Sequence, residues 1–200
     1  MPVPCHPTYW IDNSGTVKVL AGASGSIVHA ANFDASTGTL LGGNWIVNAG
    51  SGNASLALGD GTTSISTIGT NTHVTLIGAG AQFSQLGNTA NNSLEGTLTL
   101  DQHDLTIPNG ATLTNTGQLE NVNSSILTNA GTLNNQYGGT IAVNGWLDNY
   151  GGATLTNNGV LNNNVQLFNA DSLTNNGTIH SQNWLYNTGT DLRAMMRILA

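Results

Sequence analysis

Residues 153–187 of this 200-residue chain read ATLTNNGVLNNNVQLFNADSLTNNGTIHSQNWLYN, and an aliphatic side chain returns at every sixth position. The aliphatic set is Leu155, Leu161, Leu167, Leu173, Ile179 and Leu185. A small polar residue follows each of them two positions later: Asn157, Asn163, Asn169, Asn175, Ser181 and Asn187. A period of six does not fit the α-helix, whereas an even period keeps one set of strand residues on one face. This hexad ladder therefore predicts short strands joined by tight corners, so that the chain winds into a stacked coil.

The hexad ladder extends upstream, where steps of six alternate with steps of eight. The aliphatic positions there are Leu113, Leu119, Leu127, Leu133, Ile141 and Leu147. The extra residues of the longer steps fall at 123–125, 137–139 and 150–152, which are rich in turn-forming Asn, Ser and Gly. Because each insertion is even in number, the aliphatic residues stay on the inner face. Three faces of six residues predict coils of about 18 residues, or about 20 with one longer corner, stacked about 4.8 Å apart.

Stacking also accounts for the residue types in the repeat. Each inward leucine lies on the leucine of the next coil, and inward Asn amides can hydrogen-bond to the Asn above and below. Asn and Gly also tolerate the left-handed backbone that tight corners require. We expect such corners at Asn109-Gly110, Asn144-Gly145, Asn158-Gly159 and Asn176-Gly177.

The predicted fold class is all-β, a parallel β-solenoid. Residues 1–43 are expected to form irregular N-terminal strands or a cap, residues 44–190 the β-helix repeats, and residues 191–200 a short C-terminal helix or tail. A leucine-rich repeat is excluded because it needs a period of about 20–29 residues. A left-handed hexapeptide helix shares the period of six, so the ladder alone leaves the handedness open.

The composition restricts the possible partners. Charged residues make up 6% of the chain and the net charge is −7, with Lys18, Arg193 and Arg197 as the only basic residues besides histidine. Nucleic-acid binding requires a basic surface and is excluded, and binding to anionic membranes is disfavoured. No apolar run approaches the roughly 18 residues of a membrane span. The single cysteine, Cys5, excludes an intrachain disulfide and a Cys-based zinc site.

The first residues, MPVPCHP, have neither the basic region nor the apolar region of a signal peptide. We therefore expect that the protein either stays inside the cell or is a piece of a longer secreted protein.

Several segments resemble a known group of proteins. GTLNN at 131–135, ATLTNNG at 153–159, SLTNNGTI at 172–179 and VTLIGAGAQF at 74–83 are similar to the repeats of large bacterial β-helical surface proteins. These include autotransporter passengers and filamentous-haemagglutinin-like adhesins, and the resemblance covers about residues 44–190. It implies a right-handed parallel β-helix, a secreted or cell-surface location, and a structural or adhesive role.

The best cluster of chemically active side chains is DQHD at 101–104. Asp101, His103 and Asp104 could bind a metal or perform acid–base chemistry, as in β-helical polysaccharide lyases or hydrolases. A solvated loop is the favoured alternative, because the chain lacks the Arg or Lys residues that would hold an acidic sugar or stabilise an oxyanion. We expect no metal and no cofactor, and a structural role is favoured over an enzymatic one.

The candidate binding residues are aromatic: Trp146, Trp184 and Tyr186. Trp146 and Trp184 each precede an inward leucine, so both are expected to point outward. Outward rings on a sheet can stack on sugar rings or on a partner protein, although packing against a neighbouring corner is an alternative. The expected partners are surface glycans or proteins of a host or neighbouring cell.

Thr-x-Thr pairs at 97–99, 112–114 and 154–156 raise a third possibility, an ice-binding face. Such a face requires the pairs to stack at one position in every coil. Their separations along the chain are very unequal, which counts against that arrangement.

Overall fold

The computed structural model describes residues 10–22, 26–59, 63–83, 86, 91–189 and 196–197. Within those ranges every regular element is a β-strand and no helix is present. The strands pair in parallel from one coil to the next, with one antiparallel exception at the N-terminal edge among the strands described. The chain is therefore a parallel β-solenoid, which confirms the predicted fold class.

In the described part of the chain before residue 91, ten strands of uneven length form the N-terminal part of the solenoid. They are β1 (Trp10–Ile11), β2 (Thr16–Leu20), β3 (Ser26–Ala30), β4 (Phe33–Asp34), β5 (Thr39–Leu40), β6 (Gly43–Asn48), β7 (Ala54–Leu58), β8 (Thr67–Ile68), β9 (Thr72–Ile77) and β10 (Ala81–Phe83).

Sixteen strands follow, and most of them have four residues: two that point inward and two that point outward. They are β11 (Asn91–Leu94), β12 (Thr97–Asp101), β13 (Leu105–Ile107), β14 (Thr112–Asn115), β15 (Gln118–Val122), β16 (Ile126–Asn129), β17 (Thr132–Asn135), β18 (Thr140–Val143), β19 (Trp146–Asn149), β20 (Thr154–Asn157), β21 (Val160–Asn163), β22 (Gln166–Asn169), β23 (Ser172–Asn175), β24 (Thr178–Ser181), β25 (Trp184–Asn187) and β26 (Met196–Arg197).

These strands assemble into four sheets. Sheet 1 has eight strands in the order β4-β5-β8-β11-β14-β17-β20-β23, and sheet 2 has nine in the order β2-β6-β9-β12-β15-β18-β21-β24-β26. Sheet 3 has five strands, β13-β16-β19-β22-β25, and sheet 4 has four, β1-β3-β7-β10. From β11 onward, five successive coils each contribute one strand to sheet 1, then to sheet 2, then to sheet 3.

The coils become shorter along the chain. In sheet 2, Thr16 pairs with Asn44, 28 residues later. Near the other end of the same sheet, Asn163 pairs with Ser181, only 18 residues later. The solenoid thus narrows from a wide N-terminal cross-section to the coil of three hexads that the ladder predicts.

The inward side chains change with this narrowing. The wide coils are filled by large side chains such as Trp45 and Phe83, both buried, whose rings stack at a centroid distance of 5.8 Å. The narrow coils are filled by a stack of aliphatic residues that includes Leu155, Leu161 and Leu167, all fully buried. Leu185, in the last coil, is only partly buried.

Inward asparagines form hydrogen-bonded ladders along the narrow coils, as the repeat predicts. In each rung the Nδ2 of one Asn donates to the Oδ1 of the Asn in the next coil. The sheet 1 ladder runs Asn115–Asn135–Asn157–Asn175 with distances of 2.8, 2.7 and 2.7 Å. The sheet 3 ladder runs Asn129–Asn149–Asn169–Asn187 with distances of 2.7, 2.5 and 2.6 Å. In sheet 2, Asn163 donates to the Ser181 hydroxyl at 2.9 Å.

Two ladders begin with an unpaired oxygen. The strand before Asn115 presents Leu94 at the same register, and the strand before Asn163 presents Val143. Neither residue can donate, and the buried Oδ1 atoms of Asn115 and Asn163 have no hydrogen-bond partner. Each ladder therefore starts with an unsatisfied acceptor, a defect that costs about 1–3 kcal/mol.

The corners correct one expectation. Of the four Asn-Gly corners, only Gly110 has a left-handed backbone, with φ of 82°. Gly159 and Gly177 are required for a different reason: a Cβ on Gly159 would collide with the Gly139 carbonyl, and one on Gly177 with that of Gly159. Consecutive corners stack too closely for a side chain. Left-handed residues are found instead in the longer corners, at 123–124, 138 and 151–152.

The two ends of the solenoid are formed by strands that pair with the neighbouring coil. At the N-terminal end, β2 pairs with β6 along its whole length, so strands on both sides of residue 43 belong to one sheet. Met196 and Arg197 form a strand beside β24 rather than part of a helix, since the edge of β24 offers backbone groups for pairing. The remaining residues of 191–200 lie outside the described part of the chain.

Candidate functional site

The outer face of sheet 3 brings four aromatic side chains together. Its strands pair in register, so Trp146 is aligned with Gln166 and Trp184, and Asp148 with Phe168 and Tyr186. Leu147 and Leu167 point inward from the same strands and are buried. We call Trp146, Phe168, Trp184 and Tyr186 the aromatic face.

Three of these rings are open to solvent. Trp146 is 40% exposed, Trp184 60% and Tyr186 45%. The rings of Trp184 and Tyr186 meet edge to face, with centroids 5.6 Å apart and an interplanar angle of 63°. Phe168 is half-buried beside them. The outward orientation of Trp146 and Trp184 follows the phase of the hexad ladder.

The aromatic face carries one charged group. Asp148 is the only charged outward residue of the five described strands of sheet 3, and burial raises the pKa of its carboxyl group. Its neighbours at the same register are Thr128 and Phe168. The amide of Gln166 lies between the positions of Trp146 and Trp184. The face thus combines ring surfaces with an amide and a single acid.

Sequence reasoning alone did not find Phe168 or Asp148 as part of this group. The aromatic residues come from three successive strands of sheet 3, and the intervals between them along the chain are unequal. They become neighbours only when each coil's length is known, because coils of different length shift the alignment. A search for aromatic residues directly before or after the inward leucine of every third strand would have found the four residues of the aromatic face.

The cluster at 101–104 lies at a corner where coils are tied together. Asp101 Oδ1 accepts a hydrogen bond from Asn123 Nδ2 at 2.8 Å, and Asp104 Oδ1 accepts one from the Ile126 backbone N–H at 2.8 Å. The backbone N–H of His103 donates to the Ser125 hydroxyl at 3.1 Å. Each of these interactions crosses from one coil to the next, so the corner has a structural role whatever else it does.

His103 also faces the preceding coil. Its Nδ1 lies 3.0 Å from the Gly78 carbonyl oxygen. Although β10 and β13 occupy successive coils, they belong to different sheets and do not pair. A cleft of about 380 Å³ opens between them, and His103, Asp104 and Phe83 are among its lining residues. Asp101 does not line this cleft.

No group of three or more His, Cys, Asp or Glu side chains in the described ranges is arranged to hold a metal ion. The same ranges contain no helix long and apolar enough to cross a membrane.

Comparisons with known proteins found no match, whether to a protein-family model, to a curated protein or to a solved structure. The likeness to β-helical surface proteins therefore rests on the repeat residues themselves.

Proposed function

We propose that this chain is a structural and adhesive segment of a secreted or cell-surface β-helical protein, and that its aromatic face binds glycans. The observation that carries the proposal is the alignment of Trp146, Trp184 and Tyr186 on one exposed sheet surface. Sugar rings present C–H groups to aromatic rings, and exposed aromatic side chains on a rigid sheet lose little conformational freedom when they bind.

The surroundings of the rings support a glycan ligand. Gln166 and Asp148 place hydrogen-bonding groups between the aromatic residues, and sugar hydroxyls require such partners. The outward residues of the five described strands of sheet 3 include no cation, which disfavours acidic polysaccharides. We therefore propose a neutral or amino-sugar glycan at this face.

A glycan array probed with the complete chain tests the proposal. The variant Trp146→Ala/Trp184→Ala should lose about fivefold or more in binding, because ring contacts of this kind contribute about 0.5–1.5 kcal/mol each. The control variant Tyr137→Ala removes an exposed aromatic ring at the corner between β17 and β18, away from sheet 3, and should bind as the parent does. An array without any bound glycan, or equal losses in both variants, would contradict the proposal.

The competing proposal is a β-helical carbohydrate-active enzyme that uses Asp101, His103 and Asp104. The cleft beside His103 and Asp104 is the observation in its favour. New reducing ends or unsaturated sugars released from polysaccharides by the parent chain, but not by His103→Ala, would support the enzyme. Unchanged polysaccharides would support the adhesive role.

The surface location can be tested separately. Antibodies against the complete chain should label intact cells of the source organism. Labelling that appears only after the cells are permeabilised would contradict the location.

A further inference from the structure

The outer face of sheet 1 carries two files of small polar side chains, ten with a hydroxyl group and one, Asn134, with an amide. The first file is Thr39, Thr67, Ser93, Thr114, Asn134, Thr156 and Thr174, each paired in register with the next. The second file, two residues earlier in each strand, is Thr112, Thr132, Thr154 and Ser172. We call these eleven residues the threonine face.

The unequal separations of the Thr-x-Thr pairs along the chain, which counted against a regular face, follow from the number of coils between the pairs. The pairs at 112–114 and 154–156 are far apart along the chain because they lie two coils apart, with Thr132 and Asn134 on the strand between them. They belong to the same two files. Only the pair at 97–99 lies elsewhere, on β12 of sheet 2.

The threonine face is rigid and regular. Successive side chains in a file are about 4.8 Å apart, the spacing of paired strands, and the two files are about 6.6 Å apart. Threonine is β-branched, so its side chain has few rotamers. Directly behind the face, the ladder from Asn115 to Asn175 links the coils through their side chains, and such ladders keep a sheet flat.

The chemistry of the face excludes most other ligands. Neither file contains a charged or an aromatic side chain, so the face offers no phosphate contact and no platform for a sugar ring. The hydroxyls of Thr112, Thr132 and Thr154 make no hydrogen bond within the described part of the protein, so they remain able to bond water. The face presents a regular array of hydroxyl groups with the methyl groups of its threonines, interrupted by the amide of Asn134.

We propose that the threonine face binds ice. Its repeat of about 4.8 Å along the solenoid is within a few tenths of an ångström of the a-axis repeat of hexagonal ice. Water held by successive hydroxyls is therefore spaced nearly as in the crystal. Each contact is weak, but the side chains are already ordered, so little entropy is lost when the whole array meets an ice surface.

Measurements of thermal hysteresis and of ice recrystallisation with the complete chain test this proposal. The parent chain should lower the freezing point below the melting point and should keep ice grains small. Thr154→Tyr places a ring that projects from the middle of the face, and this variant should lose at least tenfold in activity. Tyrosine is well tolerated at outward strand positions.

The matched control is Thr140→Tyr, which makes the same change at an outward, half-buried position of sheet 2. This variant should keep the parent's activity. Circular dichroism establishes whether each variant is folded. If Thr154→Tyr does not fold, Thr132→Lys provides a second change on the threonine face. A parent chain without either ice activity, or equal losses in Thr154→Tyr and Thr140→Tyr, would overturn the proposal.

Discussion

The two ends of the solenoid share one sheet but fill their interiors differently. Sheet 2 is continuous from β2 to β26. Along one inward file of this sheet, the N-terminal strands present Val19, Val47, Leu76 and Leu100, whereas the later strands present Asn121, Val143, Asn163 and Ser181. Along this file the wide coils present only apolar side chains, whereas the narrow coils present mainly polar ones, Asn121, Asn163 and Ser181.

This difference indicates what limits a narrow coil. Three strands of four residues leave room for one aliphatic layer, and the second inward position of each strand lies beside the corner, where backbone groups need partners. Asparagine fits there because its amide bonds both to a side chain and to the backbone of the next coil: Asn157 donates to Asn175 Oδ1 at 2.7 Å and to the Thr178 carbonyl at 3.0 Å. The stability of a narrow coil thus depends on asparagine at the same position in the neighbouring coils.

The largest effect is expected in the wide coils, from Trp45→Ala. Trp45 is fully buried, stacks on Phe83, and donates from Nε1 to the Gly42 carbonyl at 3.0 Å. Removing the ring should lower the free energy of unfolding by about 3–5 kcal/mol, measured by denaturant titration. Hydrogen exchange should show β6 and β9 losing protection before β21 and β24.

The matched control for that variant is Trp146→Ala, which removes an equally large ring from an exposed position. Its cost should be below about 1 kcal/mol. Equal costs for the two variants would mean that the wide coils do not depend on their aromatic core.

In the narrow coils, Asn157→Leu should break a ladder without leaving a cavity. Asn135 loses an acceptor, and Asn175 Oδ1 and the Thr178 carbonyl lose their donor. Because buried groups left without partners cost about 1–3 kcal/mol each, we expect a loss of about 2–4 kcal/mol in a denaturant titration. The control Asn162→Leu lies on the outer side of β21 and should change stability by about 0.5 kcal/mol or less.

The same substitution at two positions of one file compares the regions directly. Val47→Asn buries an amide among apolar residues, and should cost about 2–3 kcal/mol more than Val143→Asn. At position 143 the new amide can donate to the unpaired Oδ1 of Asn163, which lies at the same register in the next coil. The difference between the free energies of unfolding of the two variants, measured under the same conditions, gives the stabilisation that an amide gains from a place in a ladder. Equal costs would show that the ladders do not stabilise the narrow coils.

The narrow coils could be predicted from the sequence because their period is constant. Each inward aliphatic residue such as Leu155 recurs after a fixed number of residues. Its face of the coil and its stacking partner in the next coil therefore follow from the residue numbers. In the wide coils the corners differ in length, and no count places Trp45 over Phe83. The reason for the corner glycines was missed as well, since the carbonyl of Gly139 that excludes a side chain at Gly159 belongs to the preceding coil.

The surfaces were harder to predict than the core. The outward direction of Trp146 and Trp184 followed from the neighbouring leucines, because that relation is local. The alignment of the threonine face, and the proximity of Phe168 and Asp148 to the tryptophans, depend on which residues pair across coils of unequal length. Those contacts are set by corner lengths, which the repeat does not specify outside the strict hexads.

The smallest effect is expected from two carboxyl groups, one in each region, whose pKa values shift in opposite directions. Burial raises the pKa of Asp148 above 3.8, so its contribution to stability is greatest at low pH and is lost as the pH rises through the folded pKa. Hydrogen bonds from the Ser36 hydroxyl and backbone N–H, at 2.6 and 2.9 Å, lower the pKa of Asp34. Its contribution is present above 3.8 and is lost as the pH falls through the folded pKa.

Denaturant midpoints between about pH 3 and pH 7 test this contrast, because that range spans ordinary carboxyl titration. Asp148→Asn cannot ionise, so it should gain stability relative to the parent as the pH rises. Asp34→Asn lacks the favourable carboxylate and should lose stability relative to the parent over the same range. Parallel curves for Asp148→Asn and the parent would show that the aromatic face does not bury this carboxyl group in solution. If the Asp34→Asn curve ran parallel to the parent, the bonds from Ser36 would have no preference for the ionised acid.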